Sequence, residues 1–350
     1  MKHKYLLLLA IPAMLTLTSC HKDNDNTGDD NTTTTDNRKI EKILVLYYSD
    51  KGDFTGGSIN GDYTYQWDGD KLTKILNSAG WCQDFSYDGD KVSEVFWYSI
   101  DYQGTVHPGW TWKYTYTDNR VSSYIYTENS SVSTFQVIYN DNGEVSKITG
   151  NRSSYNDTYQ YTWQNGNLSQ RIRLLEPTTS NIRGYTNTIS YTHDNHKALT
   201  SLIKGLDVTK YINGLNPLSV NNVLTSNNHT VYDDGTESTE TVTYSRTYDG
   251  VYPITDVSSY SPSGSKYYSY YKYTNTSDPR PTLCKVTSPN PTGGTVKGAG
   301  TYASGKTVKL LATPSEGYHF AGWSNGSTSN PLTFTATGDA EFQATFEADE

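Results

Sequence analysis

The chain has 350 residues and a formal net charge of −9, with 28 Lys+Arg against 37 Asp+Glu. Without a basic patch, that balance excludes nucleic acid as the partner. Hydrophobic residues reach only 34%, yet aromatics make up 13% and tyrosine alone fills 31 positions. The chain is therefore not a disordered polar tract, and its core is aromatic-rich and aliphatic-poor. Three cysteines are too few for a disulfide-stapled scaffold or a cysteine-rich metal site.

Lys2 and Lys4 precede an apolar run, Tyr5 to Leu17, interrupted only by Pro12 and Thr16. The run is about 13 residues and a spanning helix needs roughly 20, so residues 1–19 read as a signal peptide. The segment closes with Leu17-Thr18-Ser19-Cys20, which resembles the lipobox of bacterial lipoproteins. That resemblance implies cleavage before Cys20, acylation of Cys20 and anchoring in outer-membrane lipid, where several acyl chains hold stably. Residues 20–38 follow as a lipidated cysteine and a tether, because His21 to Arg38 contains no apolar residue. The stretch Lys22-Asp23-Asn24-Asp25 is similar to the export signal of Bacteroidetes lipoproteins, which implies display on the cell exterior. Asp23 to Gly28 imitates the start of a calcium loop, but Thr34 stands where the bidentate Glu belongs.

From residue 39 to 286 one pattern returns: an alternating aromatic strand, a polar turn, then a strand that starts with an aliphatic residue. It reads Tyr65-x-Trp67-Asp68-Gly69-Asp70-x-Leu72, then Phe85-x-Tyr87-Asp88-Gly89-Asp90-x-Val92. Trp67, Tyr87, Tyr116, Tyr139, Trp163 and Tyr191 mark successive copies at intervals of 20 to 29 residues, the length of one β-hairpin. Asp-Gly and Asn-Gly suit two-residue turns. Trp110, Trp112, Tyr114 and Tyr116 alternate with Thr and Lys, which puts the aromatics on one sheet face. The fold class is all-β: an antiparallel up-and-down meander closing into a barrel or strongly coiled sheet, its aromatic face inward. A lipid-facing wall needs a largely aliphatic outer band about 25 Å tall, and aromatics running along whole strands do not supply one.

The repeat units resemble divergent tyrosine–aspartate repeats of the Rhs type. The overall pattern with its lipobox more closely resembles a Bacteroidetes lipoprotein domain of unknown function with a porin-like β-barrel fold. Those resemblances imply a barrel and a surface lipoprotein and bring no catalytic residues. Between His196 and Asn228, Leu199, Leu202, Ile203 and Leu206 recur at helical spacing, with Gly205 as a stop and Asp207 as a cap. This segment reads as one or two short helices that cap a barrel end or cross between hairpins, plugging the core rather than forming a lid.

Residues 287–350 form a separate module after a proline-punctuated linker. Gly294-Thr295-Val296, Gly300-Thr301-Tyr302, Val308 to Pro314 and Gly317-Tyr318-His319-Phe320-Ala321-Gly322-Trp323 resemble the divergent internalin-type B-repeat. That implies a small β-grasp-like module serving as a spacer or binding element. Its expected core is Val308, Leu310, Ala312, Phe320, Trp323, Phe342 and Phe346. Gly322-Trp323-Ser324-Asn325-Gly326 also satisfies the Gly-x-Ser-x-Gly elbow, but no helix signal or His/Asp pair accompanies it.

No catalytic constellation stands out, and neither a cofactor nor a metal is called for. His193 and His196 lack a third ligand in the sequence nearby. Asp68, Asp70, Asp88 and Asp90 flank turn glycines and are explained by turn formation. Cys82 and Cys284 are candidates for a disulfide in an oxidising location. Exposed aromatics carry the functional lead, because sugar rings stack on Trp and Tyr. In Phe96-Trp97-Tyr98, Tyr267-Tyr268 and Tyr270-Tyr271, adjacent aromatics must face opposite sides of a strand. The ligand-binding candidates are Trp97, Trp110, Trp112, Tyr267 and Tyr268. The expected function is a non-catalytic surface lipoprotein for binding or scaffolding, with a glycan ahead of a surface protein as ligand. The rivals are a carbohydrate-active enzyme, with two carboxylates roughly 5–10 Å apart across a cleft, and a purely structural or protein-binding adhesin.

Overall fold

The computed structural model describes residues 38–49, 54–180 and 182–350. The signal segment, Cys20 and the acidic tether lie outside the described residues. From Ile40 to Tyr273 the chain is a run of antiparallel strands: β1 (Ile40–Ser49), β2 (Ser58–Asp68), β3 (Lys71–Asn77), β4 (Trp81–Asp88), β5 (Lys91–Ile100), β6 (Val106–Thr117), β7 (Arg120–Glu128) and β8 (Ser131–Tyr139). It continues as β9 (Val145–Arg152), β10 (Tyr155–Gln164), β11 (Asn167–Pro177), β12 (Tyr185–Lys197), β13 (Asn221–Tyr232), β14 (Glu237–Asp249), β15 (Tyr252–Ser261) and β16 (Ser265–Tyr273). Each strand pairs with its sequence neighbours, and β1 also pairs with β16, so sixteen strands form a closed up-and-down barrel. Closure removes the free sheet edge that an open meander would expose.

Alternation sends every second side chain inward. Trp110, Trp112, Tyr114 and Tyr116 on β6, Tyr159, Tyr161 and Trp163 on β10, and Tyr267, Tyr271 and Tyr273 on β16 all join the interior cluster. The intervening outer positions are polar: Lys113 and Thr115 on β6, Gln160 and Thr162 on β10, and Thr243, Ser245 and Thr247 on β14 are exposed or half-exposed. Apolar exceptions such as Ile125, Val132 and Ile138 are scattered. Among the described residues no continuous apolar band runs around the outer face.

The repeat has a shared physical basis. In the hairpins β2–β3, β4–β5, β6–β7, β8–β9 and β10–β11 the aromatic before the turn pairs with the aliphatic residue after it, and the next residue is a bulge: Trp67 faces Leu72 while Gln66 faces Lys74, leaving Thr73 unpaired. Ser122, Ser146 and Ser169 occupy the same position in later hairpins. Their hydroxyls, with that of Thr73, donate to the carbonyl oxygens of Gln66, Thr115, Ile138 and Thr162 at 3.0–3.3 Å. The pre-turn ring then bonds the preceding hairpin: Tyr87 Oη donates to Leu72 O, Tyr116 Oη to Val92 O, and Trp163 Nε1 to Val145 O, at 2.7–2.8 Å. Lys71 and Lys91 lie over the Tyr87 and Tyr116 rings, each 5.3 Å from the centroid. Phenylalanine could fill the same space but could not donate.

The turns of these hairpins gather at one end of the barrel, and residues 198–220 cross that end. A single helical turn (Leu199–Leu202) and a 3-10 turn (Leu206–Tyr211) bury Leu199, Ile203, Leu206, Val208 and Tyr211 against the barrel interior. Tyr114 Oη donates to Tyr211 O at 2.6 Å, and Tyr116 Oη bonds Tyr211 Oη at 2.9 Å. Gly205 takes φ +82° where a Cβ would stand 1.7 Å from Asp70 O. Asp207, expected as a cap, instead faces Lys210 at 3.5 Å, and Gly205 holds the N-cap position.

The C-terminal module consists of β17 (Leu283–Thr287), β18 (Gly294–Lys297), β19 (Gly300–Ala303), β20 (Thr307–Pro314), β21 (Tyr318–Trp323), β22 (Leu332–Thr335), β23 (Ala340–Glu341) and β24 (Ala344–Ala348) in small sheets. β17 pairs with β19 and β23, so residues 283–286, assigned to the repeat region from the sequence, belong structurally to the module. Val308, Leu310, Ala312, Trp323 and Phe346 are buried, and Phe320 and Phe342 pack half-buried against them. The same cluster takes in Leu44, Leu46 and Tyr48 from the outer face of β1, with Tyr268 and Tyr270 from β16. Ala303 N–H donates to Tyr48 Oη at 2.8 Å, and Thr301 N–H to Gly57 O at 2.7 Å. Burial pushes the Tyr48 phenol up to about 12. A Cβ on Gly56 would stand 1.6 Å from Ala299 O, so only glycine allows this approach. The module is therefore seated on the strand pair that closes the barrel.

Cys82 and Cys284 are both free and buried. The disulfide open to them does not form, because they serve different layers. The Cys82 thiol lies within 3.8 Å of Gly80 O at the start of β4, whereas Cys284 is fully buried in the module core.

Candidate functional site

The capped end holds crevices of about 420 Å³, beside Tyr116, Arg120, Tyr139, Trp163 and Tyr211, and about 710 Å³, beside Asp70, Lys71, Asp90, Lys91 and Lys204. Their groups are already committed. Tyr116, Tyr139 and Trp163 donate to main-chain carbonyls. Asp70 holds Lys39 at 3.3 Å and Lys204 at 2.6 Å, which keeps its carboxyl below the usual range, and Lys71 meets Asp90 at 3.2 Å. This end is built for closure.

The opposite end is different. Trp81 at the start of β4 turns inward and is 39% exposed. Its ring centroid is 6.3 Å from that of Trp97 on β5, which is 5.5 Å from that of Trp110 on β6. Trp110 Nε1 donates to Glu128 Oε1 at 2.8 Å and Tyr126 Oη to Glu128 Oε2 at 2.9 Å, which fixes the carboxylate at the end of β7. The Arg152 guanidinium lies 4.4 Å from the Tyr126 centroid and 5.7 Å from that of Tyr155. Beyond it, Asp157 is fully buried and held by Arg173 through two bonds of 2.8 Å, with Tyr159 Oη donating to it at 3.2 Å. The result is an arc of aromatic and charged side chains around the inner wall from β4 to β11.

Several polar atoms in this lining have no partner. Gln83 Oε1 and Trp97 Nε1 sit on directly paired positions, an acceptor and a donor bonded neither to each other nor to another group. Each such atom costs about 1–3 kcal/mol, a cost that a wall made only for stability would avoid with Leu and Phe.

Two of the five ligand-binding candidates, Trp97 and Trp110, belong to the arc. Trp112 points inward from the same strand but is 5% exposed and packs on Tyr126 as core. Tyr267 is buried inside between Tyr47 and Tyr260. Tyr268 faces outward and is covered by the module, with Lys306 Nζ 3.8 Å from its ring centroid. Outward Tyr98 is likewise covered, stacked on Phe96 and bonded to Lys74 at 3.0 Å. Trp81, Gln83, Glu128 and Arg152 escaped sequence reasoning. Alternation marks them as inward, but only strand order shows that they converge.

The considered catalytic groups are engaged elsewhere. Ser324 Oγ accepts from Gln343 N–H at 3.1 Å in the module. His193 meets Ser219 at 3.0 Å, and His196 stacks on Tyr248. Asp194 and Asp256 flank Arg246 at 4.0 and 3.4 Å. Burial pushes Asp256 up to about 6 against the pull of Arg246, but at 1% exposure it is shut off from solvent. Among the described residues no group of three His, Cys, Asp or Glu side chains has metal-binding geometry.

Residues 284–350 match the family model of the divergent InlB B-repeat domain. None of the curated proteins matches the chain. Among solved structures, a porin-like protein from Bacteroides uniformis is 16% identical, with a TM-score of 0.39 over 67% of this chain and 96% of that one. A porin-like protein from Bacteroides vulgatus is 14% identical, with a TM-score of 0.34 over 68% of this chain and 99% of that one.

Proposed function

We propose that the protein is a non-catalytic surface receptor, held to the outer membrane through acylated Cys20, that binds a glycan chain at the aromatic arc inside the barrel. The observation that carries this reading is the inward trio Trp81, Trp97 and Trp110 beside a fixed Glu128. Indole faces match the C–H faces of sugar rings, and the carboxylate and nearby Gln83 and Arg152 match hydroxyls. A polar outer wall supports a barrel standing in water on a lipid tether. The carboxylates near the arc are already engaged, which supports binding over hydrolysis: Glu128 accepts from two side chains, and Asp157 from Arg173 and Tyr159.

A glycan array probed with the soluble chain from Arg38 onward tests the reading. Expected is selective binding that Trp97→Ala and Trp110→Ala each weaken by about tenfold or more. A blank array from a folded sample, or binding indifferent to both changes, would sink it and favour a protein partner.

A further inference from the structure

We infer that Arg171 forms an oxyanion subsite inside the barrel, so that the glycan of the arc carries a carboxylate or sulfate group; this rests on the proposed reading of the arc. Arg171 points inward from the middle of β11, directly opposite Tyr161 on β10 and Ile189 on β12. Its neighbour on the same face, Arg173, is saturated by Asp157 at 2.8 Å. Three strands on, Arg246 on β14 has Asp256 at 3.4 Å and donates to Val223 O at 2.7 Å. Arg171 differs from both. Its Nε has no partner, and among the described residues no carboxylate lies within 4 Å of it. Its surroundings are the phenols of Tyr159, Tyr161 and Tyr191.

A guanidinium cannot shed its proton, so burial without a counter-charge leaves an uncompensated cation. Arg171 as a whole is half-buried in the wall, while its Nε is buried and unpartnered. A planar oxyanion entering there would receive a forked pair of N–H donors, and the tyrosine hydroxyls beside it suit the flanking sugar hydroxyls. From Arg171 to the end of β11 at Pro177 is about 20 Å along the strand, the depth that a short oligosaccharide entering at that rim would have to reach.

The test is calorimetric titration of the detergent-solubilised full chain, at constant ionic strength, with trigalacturonate (carboxylate), a heparin-derived tetrasaccharide (sulfate), maltotriose (neutral) and inorganic sulfate. The proteins compared are the parent, Arg171→Gln, Arg171→Lys and Trp97→Ala. One acidic sugar should bind about tenfold or more tighter than maltotriose, and which one identifies the oxyanion. Arg171→Gln should erase that preference and Arg171→Lys keep part of it. Arg171→Gln should also melt no lower than the parent without ligand, because the uncompensated charge is gone, and this separates lost binding from lost folding. Acidic affinity unchanged in Arg171→Gln overturns the subsite, as does an absence of any anion binding. Neutral and acidic sugars binding equally, with dependence on Trp97, would overturn the subsite and leave the arc reading intact. Inorganic sulfate binding that needs Arg171, with no sugar bound, would leave the subsite standing and remove the glycan.

Discussion

Asp256 shows how a single side chain sets a pH response. Its carboxyl is raised from 3.8 to about 6, first by burial and against the attraction of Arg246. The native state therefore holds the proton more tightly than the unfolded chain does. The stability this group contributes is complete below about pH 4 and is lost as pH rises through about 6. Asp256→Asn removes that dependence, so the variant should gain on the parent between pH 5 and pH 8, by about 1.4 kcal/mol. Melting curves at both pH values check it, and a constant difference would refute the assignment. Much at this scale was legible from alternation: inward Trp97 and Trp110 follow from period two. Partners were not. That Tyr268 would be covered while Trp81 stays open depends on which surfaces meet, and no local pattern encodes that.

At the scale of the element, the hairpin is a small machine with fixed parts. A ring before the turn, an aliphatic residue after it and a hydroxyl residue next produce one bulge and two hydrogen bonds in copy after copy. The rings and aliphatics were visible as a repeat. The Ser or Thr that follows, at Thr73, Ser93, Ser122, Ser146 and Ser169, was in view too but reads as an ordinary polar strand residue until the register shows it unpaired. Its role separates two variants. Ser169→Ala loses one hydroxyl bond to Thr162 O and should cost about 0.5–1.5 kcal/mol. Deleting Ser169 closes the bulge but leaves Leu168 opposite Trp163, Gln170 opposite Thr162 and Arg171 opposite Tyr161, so the faces of β11 are kept and only the local bend and twist are lost. Denaturant unfolding should show the deletion costing more than Ser169→Ala. Equal losses would mean that the hydroxyl bond is all that the bulge contributes.

For the whole molecule, the sequence foretold an inward aromatic barrel, a short plug and a β module, but not that the module would sit on the wall. Leu44, Leu46 and Tyr48 look like ordinary strand residues, and their outer face is apolar only because the module covers it. Removing residues 283–350 should uncover that stripe on the closing pair β1 and β16. We expect a lower melting temperature and binding of a hydrophobic dye, measured against the full chain. An unchanged melt without dye binding would show that the module is a passenger. The arrangement also has a consequence for how the protein is made. β1 emerges early in synthesis, but its partner β16 lies more than two hundred residues later, with Ile43 paired to Tyr271. Until then the first strand has one unsatisfied side. Phe346, roughly three hundred residues after β1, belongs to the layer that finally covers it. A chain released before β16 and the module are made would build most of the wall and never seal it, so translation through both is itself a condition of a finished surface.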